Sequence, residues 1–82
     1  MTETELLSRI ITNRKIFGGA PIIKGTRLPV ATVLSLLAQG ETFDELIEDF
    51  EIVTKEDLLA CIAFAASLVK PAKKEAVGGG KR

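Results

Sequence analysis

Eighty-two residues, with eleven basic and eleven acidic side chains and no histidine, describe one small domain with no net charge. The longest apolar run, residues 58–69, is too short to span a bilayer, and the acidic, polar residues 1–5 do not resemble a secretory leader. A lone Cys61 excludes a disulfide scaffold and fits a reducing cytoplasm.

The charges are segregated. Residues 9–27 carry Arg9, Arg14, Lys15, Lys24 and Arg27 and no acid, whereas residues 41–57 carry eight acids against Lys55. An acidic partner is therefore expected at the former stretch or at the basic end of the chain.

In chain order, residues 1–8 are read as a flexible N-terminus, either a helical turn or a frayed end, with no function assigned. Ile10-Ile11-Thr12 is a short strand, left through a turn at Asn13-Arg14. The Gly- and Pro-dense stretch 18–30 reads as a defined run of turns, because its apolar residues Ile22, Ile23, Leu28 and Val30 do not suit a linker. Residues 21–23 and 26–28 become two short extended segments around a bend at Lys24-Gly25, with 26–28 expected to pair with 10–12. Pro29 suits the start of a helix.

Val30, Val33, Leu34 and Leu37 then follow the i, i+3, i+4, i+7 spacing of an amphipathic helix, closed by Gly40 as a left-handed cap. Thr42 with Glu45 forms a capping box for a second helix, striped by Phe43, Leu46, Ile47 and Phe50. Thr54 with Asp57 opens a third, about residues 55–69, which is apolar nearly all round. Such a helix needs more cover than two short helices provide. A homodimer is therefore expected, with Leu58, Cys61, Ile62, Phe64 and Leu68 at its interface. Pro71 ends the helix, and residues 71–82 read as a mobile basic tail whose Lys73, Lys74, Lys81 and Arg82 suit an acidic partner surface. The fold expected is mainly α: a three-helix, helix-turn-helix-like domain over 9–70, preceded by short N-terminal strands and followed by a disordered tail.

Gly18-Gly19-Ala20-Pro21-Ile22-Ile23-Lys24-Gly25-Thr26-Arg27-Leu28-Pro29-Val30 resembles the signature of a small bacterial family known as domain of unknown function 433. The resemblance continues through Leu34, Leu37, Gly40, Thr42, Glu45, Thr54, Asp57 and Leu58, over about residues 9–69. It departs after the second helix, where the family usually has an aromatic-Pro pair and this chain has Phe50-Glu51. Membership implies a helix-turn-helix relationship, and some members resemble VapB-type antitoxins encoded beside a PIN-like ribonuclease toxin.

Candidate chemistry is sparse. Without histidine, a metal-ligand cluster or a nucleophile beside a base, no enzyme, cofactor, metal or small-molecule substrate is expected. Cys61 reads as a small buried hydrophobe. Gly25-Thr26-Arg27 lacks phosphate-loop spacing and reads as a tight turn with local bonds, although Arg27 is aimed by the Pro that follows two residues on. Residues 42–69 fit either a helix-turn-helix or an αα-corner that only builds the core. The first turn of the last helix offers DNA a single cation, Lys55, among acids. Nucleic-acid contact is therefore assigned to Arg14, Lys15, Lys24 and Arg27, with Lys55 at most grazing a groove. Three functions remain open: a dimeric antitoxin binding operator DNA and a PIN-like toxin, a dimeric protein-interaction module without a DNA role, and a stand-alone DNA-binding regulator.

Overall fold

The computed structural model describes residues 1–70 and is mainly helical. Helix α1 (Glu3–Leu7) leads into strand β1 (Ile10–Ile11), a 3-10 turn (Phe17–Gly19) and strand β2 (Ile22–Ile23). Helices α2 (Val30–Ala38), α3 (Phe43–Asp49) and α4 (Lys55–Val69) follow.

Residues 1–8 take the helical option. Thr2 and Glu5 form a reciprocal capping box, with the Thr2 hydroxyl accepting from Glu5 N–H and the Glu5 carboxylate accepting from Thr2 N–H. The resulting helix lies against α4, so it supplies part of the cover that the sequence reading sought from a second chain.

The strand pairing differs from the expectation in one respect. β1 is antiparallel to β2, with Ile10 opposite Ile23 and Ile11 opposite Ile22, and so pairs with 22–23 instead of 26–28. The other edge of residues 21–23 carries the return segment: Ile23 N–H donates to Leu28 C=O at 3.1 Å and Val30 N–H to Pro21 C=O at 3.0 Å. Residues 21–23 are thus the centre of the small assembly. Burial explains why, since Ile22 and Ile23 are 1% and 0% exposed, and a fully covered segment must place its backbone polar groups on both neighbours.

The helix ends follow the local signals. Gly40 adopts φ +100, and the α2 terminus closes as a Schellman motif, with Glu41 N–H to Leu36 C=O at 3.1 Å and Gly40 N–H to Leu37 C=O at 3.0 Å. Thr42 and Thr54 cap α3 and α4 through capping boxes with Glu45 and Asp57. The ψ of +139° at Lys70 is the extended conformation that a following proline requires.

The core joins Ile23, Val30, Val33, Leu46, Val53, Leu58 and Cys61. Half-buried Ile10, Leu28, Leu34, Leu37, Phe43, Ile47, Phe50 and Phe64 pack around it.

Candidate functional site

The N-terminus of α4 is tied to the β-structure by one long-range ion pair. Arg9 Nη1 donates to Asp57 Oδ1 at 3.0 Å across 48 positions of chain. The second carboxylate oxygen of Asp57 accepts Thr54 N–H at 3.0 Å, and Asp57 N–H donates to Thr54 Oγ1 at 3.2 Å. Asp57 is 8% exposed and, among the described residues, every buried side-chain polar atom is satisfied. One carboxylate therefore caps the helix, meets its positive end and anchors β1. Arg9 is consequently engaged, and leaves the basic set of residues 9–27 with four members.

Those four, Arg14, Lys15, Lys24 and Arg27, are all exposed, and among the described residues none forms an ion pair. Two of them, Lys24 and Arg27, line different concavities. Lys24 lines a concavity of about 490 Å³ with Met1, Glu5, Ser8 and Arg9. Arg27 lines a different one, of about 350 Å³, with Thr26, Leu28, Phe50, Ile52 and Val53. Local bonds hold the backbone around Arg27, because Thr26 Oγ1 donates to Ile23 C=O at 2.8 Å and accepts Leu28 N–H at 2.9 Å. Arg14 and Lys15 stand in the loop that ends in the 3-10 turn, where Lys15 N–H donates to Asn13 Oδ1 at 2.9 Å. Lys55 is exposed at the first position of α4, beside Glu56 and Asp57.

The loop also presents a residue that the sequence reading passed over. Phe17 is 57% exposed and has φ +50, a left-handed conformation that bulky side chains rarely adopt. Gly18 and Gly19 continue at φ +64 and +92. The signal was an aromatic directly before two glycines and two residues after a cation pair.

The residues assigned to a dimer interface divide by helix face. Leu58 and Cys61 are wholly buried in the chain's own core, at 0% exposure, so they are not available to a second chain. Phe64 is half-buried against that core. Ile62 and Leu68 are exposed, and the outer face carries Leu59, Ile62, Ala66 and Val69, all exposed. These four recur at i, i+3, i+7 and i+10, the spacing of a helix–helix seam. Lys73, Lys74, Lys81 and Arg82 lie outside the described residues.

Cys61 lies one helical turn beyond Asp57. Burial, and secondarily the Asp57 carboxylate, push its thiol from 9.0 up to about 11, so it is protonated and a poor nucleophile near neutral pH. Among the described residues no group of His, Cys, Asp and Glu is placed to hold a metal ion, and no helix is long and apolar enough to cross a membrane.

The fold and these surfaces define a small helical domain with an exposed apolar helix face and cations around its β-structure that have no ion-pair partner among the described residues. Residues 10–65, well over half of the chain, match the family model described as "Protein of unknown function (DUF433)", and the chain belongs to that family. No curated protein and no solved structure matches it.

Proposed function

We infer that this chain is a non-catalytic, antitoxin-like binding protein that acts as a homodimer, pairing through the outer face of α4. The carrying observation is the exposed stripe of Leu59, Ile62, Ala66 and Val69 on the longest helix of the domain. Leu58 and Cys61 point into the core on another side of the helix, and among the described residues nothing covers this one. A contiguous apolar face of this kind marks an interaction surface. The antitoxin reading comes from the resemblance of the signature stretch, and its partner would be a PIN-like ribonuclease toxin.

DNA contact in this reading is electrostatic and made by Arg14, Lys15 and Lys24. The alternative, insertion of α4 into a major groove, is disfavoured by the single exposed Lys55 in its first turn and by the apolar stripe that follows. Arg27, grouped with the other cations in the sequence reading, is left out because it borders a mostly apolar groove. A dimeric interaction module without a DNA role is the second reading, favoured by the same stripe, since a DNA-reading helix would carry cations there.

Light scattering tests the dimer. The wild type should show twice the 8.8 kDa chain mass at micromolar concentration. Leu59→Asp with Ile62→Asp should return the monomer mass with helix content intact, because both side chains are exposed in the single chain. A monomeric wild type sinks the reading.

A further inference from the structure

Phe17 has no use in the core. It is 57% exposed, and it sits in a backbone conformation that costs an L-residue free energy. The strain is held by a closed set of turn bonds: Ile16 N–H to Asn13 C=O at 2.8 Å, Gly19 N–H to Ile16 C=O at 3.0 Å, and Ala20 N–H to Phe17 C=O at 3.1 Å. Gly19 backs onto Arg14, since a Cβ built there would lie 3.8 Å from the Arg14 Cα. The loop therefore presents an aromatic ring within a few residues of two exposed cations, Arg14 and Lys15, that have no ion-pair partner among the described residues.

We propose that this loop binds single-stranded nucleic acid, with one unpaired base stacked on the Phe17 ring and the flanking phosphates met by Arg14 and Lys15. The two halves of the ligand match the two chemistries of the loop: a flat, polarisable base face for an exposed ring, and a phosphate for each unpaired cation. An acidic peptide would satisfy the cations and leave the ring in water. A duplex would satisfy the cations too, but its bases are stacked on one another, so the ring would have to unstack a step before gaining contact. A strand whose bases are already free carries no such cost. The inference rests on the electrostatic nucleic-acid contact given under Proposed function and adds the strandedness of the ligand and the residue that selects it.

The chain has no Trp and no Tyr, so Phe17→Trp introduces a single indole at the position in question. Titration with oligothymidylate at low salt should quench that indole, and a self-complementary duplex of equal phosphate count should quench it less. Phe17→Ala should weaken oligothymidylate binding roughly tenfold or more, the order that one stacked base contributes, with the salt slope unchanged. Arg14→Ala with Lys15→Ala should instead flatten the slope by nearly one unit for each phosphate no longer neutralised. Circular dichroism of Phe17→Ala should remain that of the folded protein, because the ring covers none of the core. If oligothymidylate binds with wild-type affinity to Phe17→Ala, or if duplex is preferred, the stacking role is wrong while the electrostatic contact stands. If neither strand form binds at low salt, both readings fall together.

Discussion

Removing Asp57 isolates what fixes the start of α4. Asp57→Ala deletes the acceptor for Thr54 N–H and for the Arg9 guanidinium in one change. The capping contribution is about 1 kcal/mol. The charge-assisted bond to Arg9, together with the favourable place of a carboxylate at a helix N-terminus, adds roughly another 1 kcal/mol. The Arg9 side chain is 35% exposed, so once released it reaches water and leaves no buried orphan charge. Asp57→Ala should therefore lower stability by about 2 kcal/mol, or roughly 10 °C in Tm for a domain of this size. Arg9→Ala should cost less than about 1 kcal/mol, because Asp57 keeps the Thr54 N–H and the helix end once the pair is broken. Thermal and urea unfolding followed by circular dichroism, at one protein concentration so that the contribution of self-association is held constant, measure both. The double variant completes the cycle and should give a coupling below about 1 kcal/mol. If Arg9→Ala costs as much as Asp57→Ala, the ion pair dominates and the cap-centred account of this joint is wrong.

Cys61 sets an alkaline limit. Its thiol is raised from 9.0 to about 11 in the folded chain, so the native state holds this proton where the unfolded state releases it. Stability from this group is complete below pH 9.0 and is lost as pH rises towards about 11. At about 1.4 kcal/mol for each unit, the loss approaches 2 to 3 kcal/mol, and the slope of stability against pH in that window should be shallower for Cys61→Ala than for wild type. An identical slope would place the thiol in water. For DNA contact, Arg14→Ala with Lys24→Ala should flatten the salt dependence of binding in a gel-shift titration, and Arg27→Ala should leave it nearly unchanged. The reverse ranking would return Arg27 to the DNA surface.

What the sequence disclosed was set by range. The boxes Thr42/Glu45 and Thr54/Asp57 and the left-handed Gly40 are interactions over three to five residues, and their residue types state them directly. Thr2/Glu5 is a third box of the same form, and it decides for the helical turn that the sequence left open against a frayed end at residues 1–8. Ile22 and Ile23 were recognised as extended, but adjacent isoleucines do not say that both edges of their segment are paired. The Arg9–Asp57 joint spans 48 positions and involves a residue whose local role was already accounted for by the cap. α4 showed apolar residues on every side, and nothing within the helix distinguishes the face bearing Leu58 and Cys61 from the face bearing Leu59 and Ile62. That distinction comes from where α1, α2 and α3 pack. Similarly, five cations in nineteen residues looked like one patch until the hairpin placed Lys24 and Arg27 on separate concavities and Arg9 against Asp57.

Pairing through the outer face of α4 is tested most directly by isotope-filtered nuclear Overhauser measurements on an equimolar mixture of ¹³C-labelled and unlabelled chains. Intermolecular contacts should involve the methyl groups of Leu59, Ile62, Ala66 and Val69, while Leu58, with its side chain buried inside each chain, should show none. Intermolecular contacts from another surface, with those four methyl groups silent, would contradict the account.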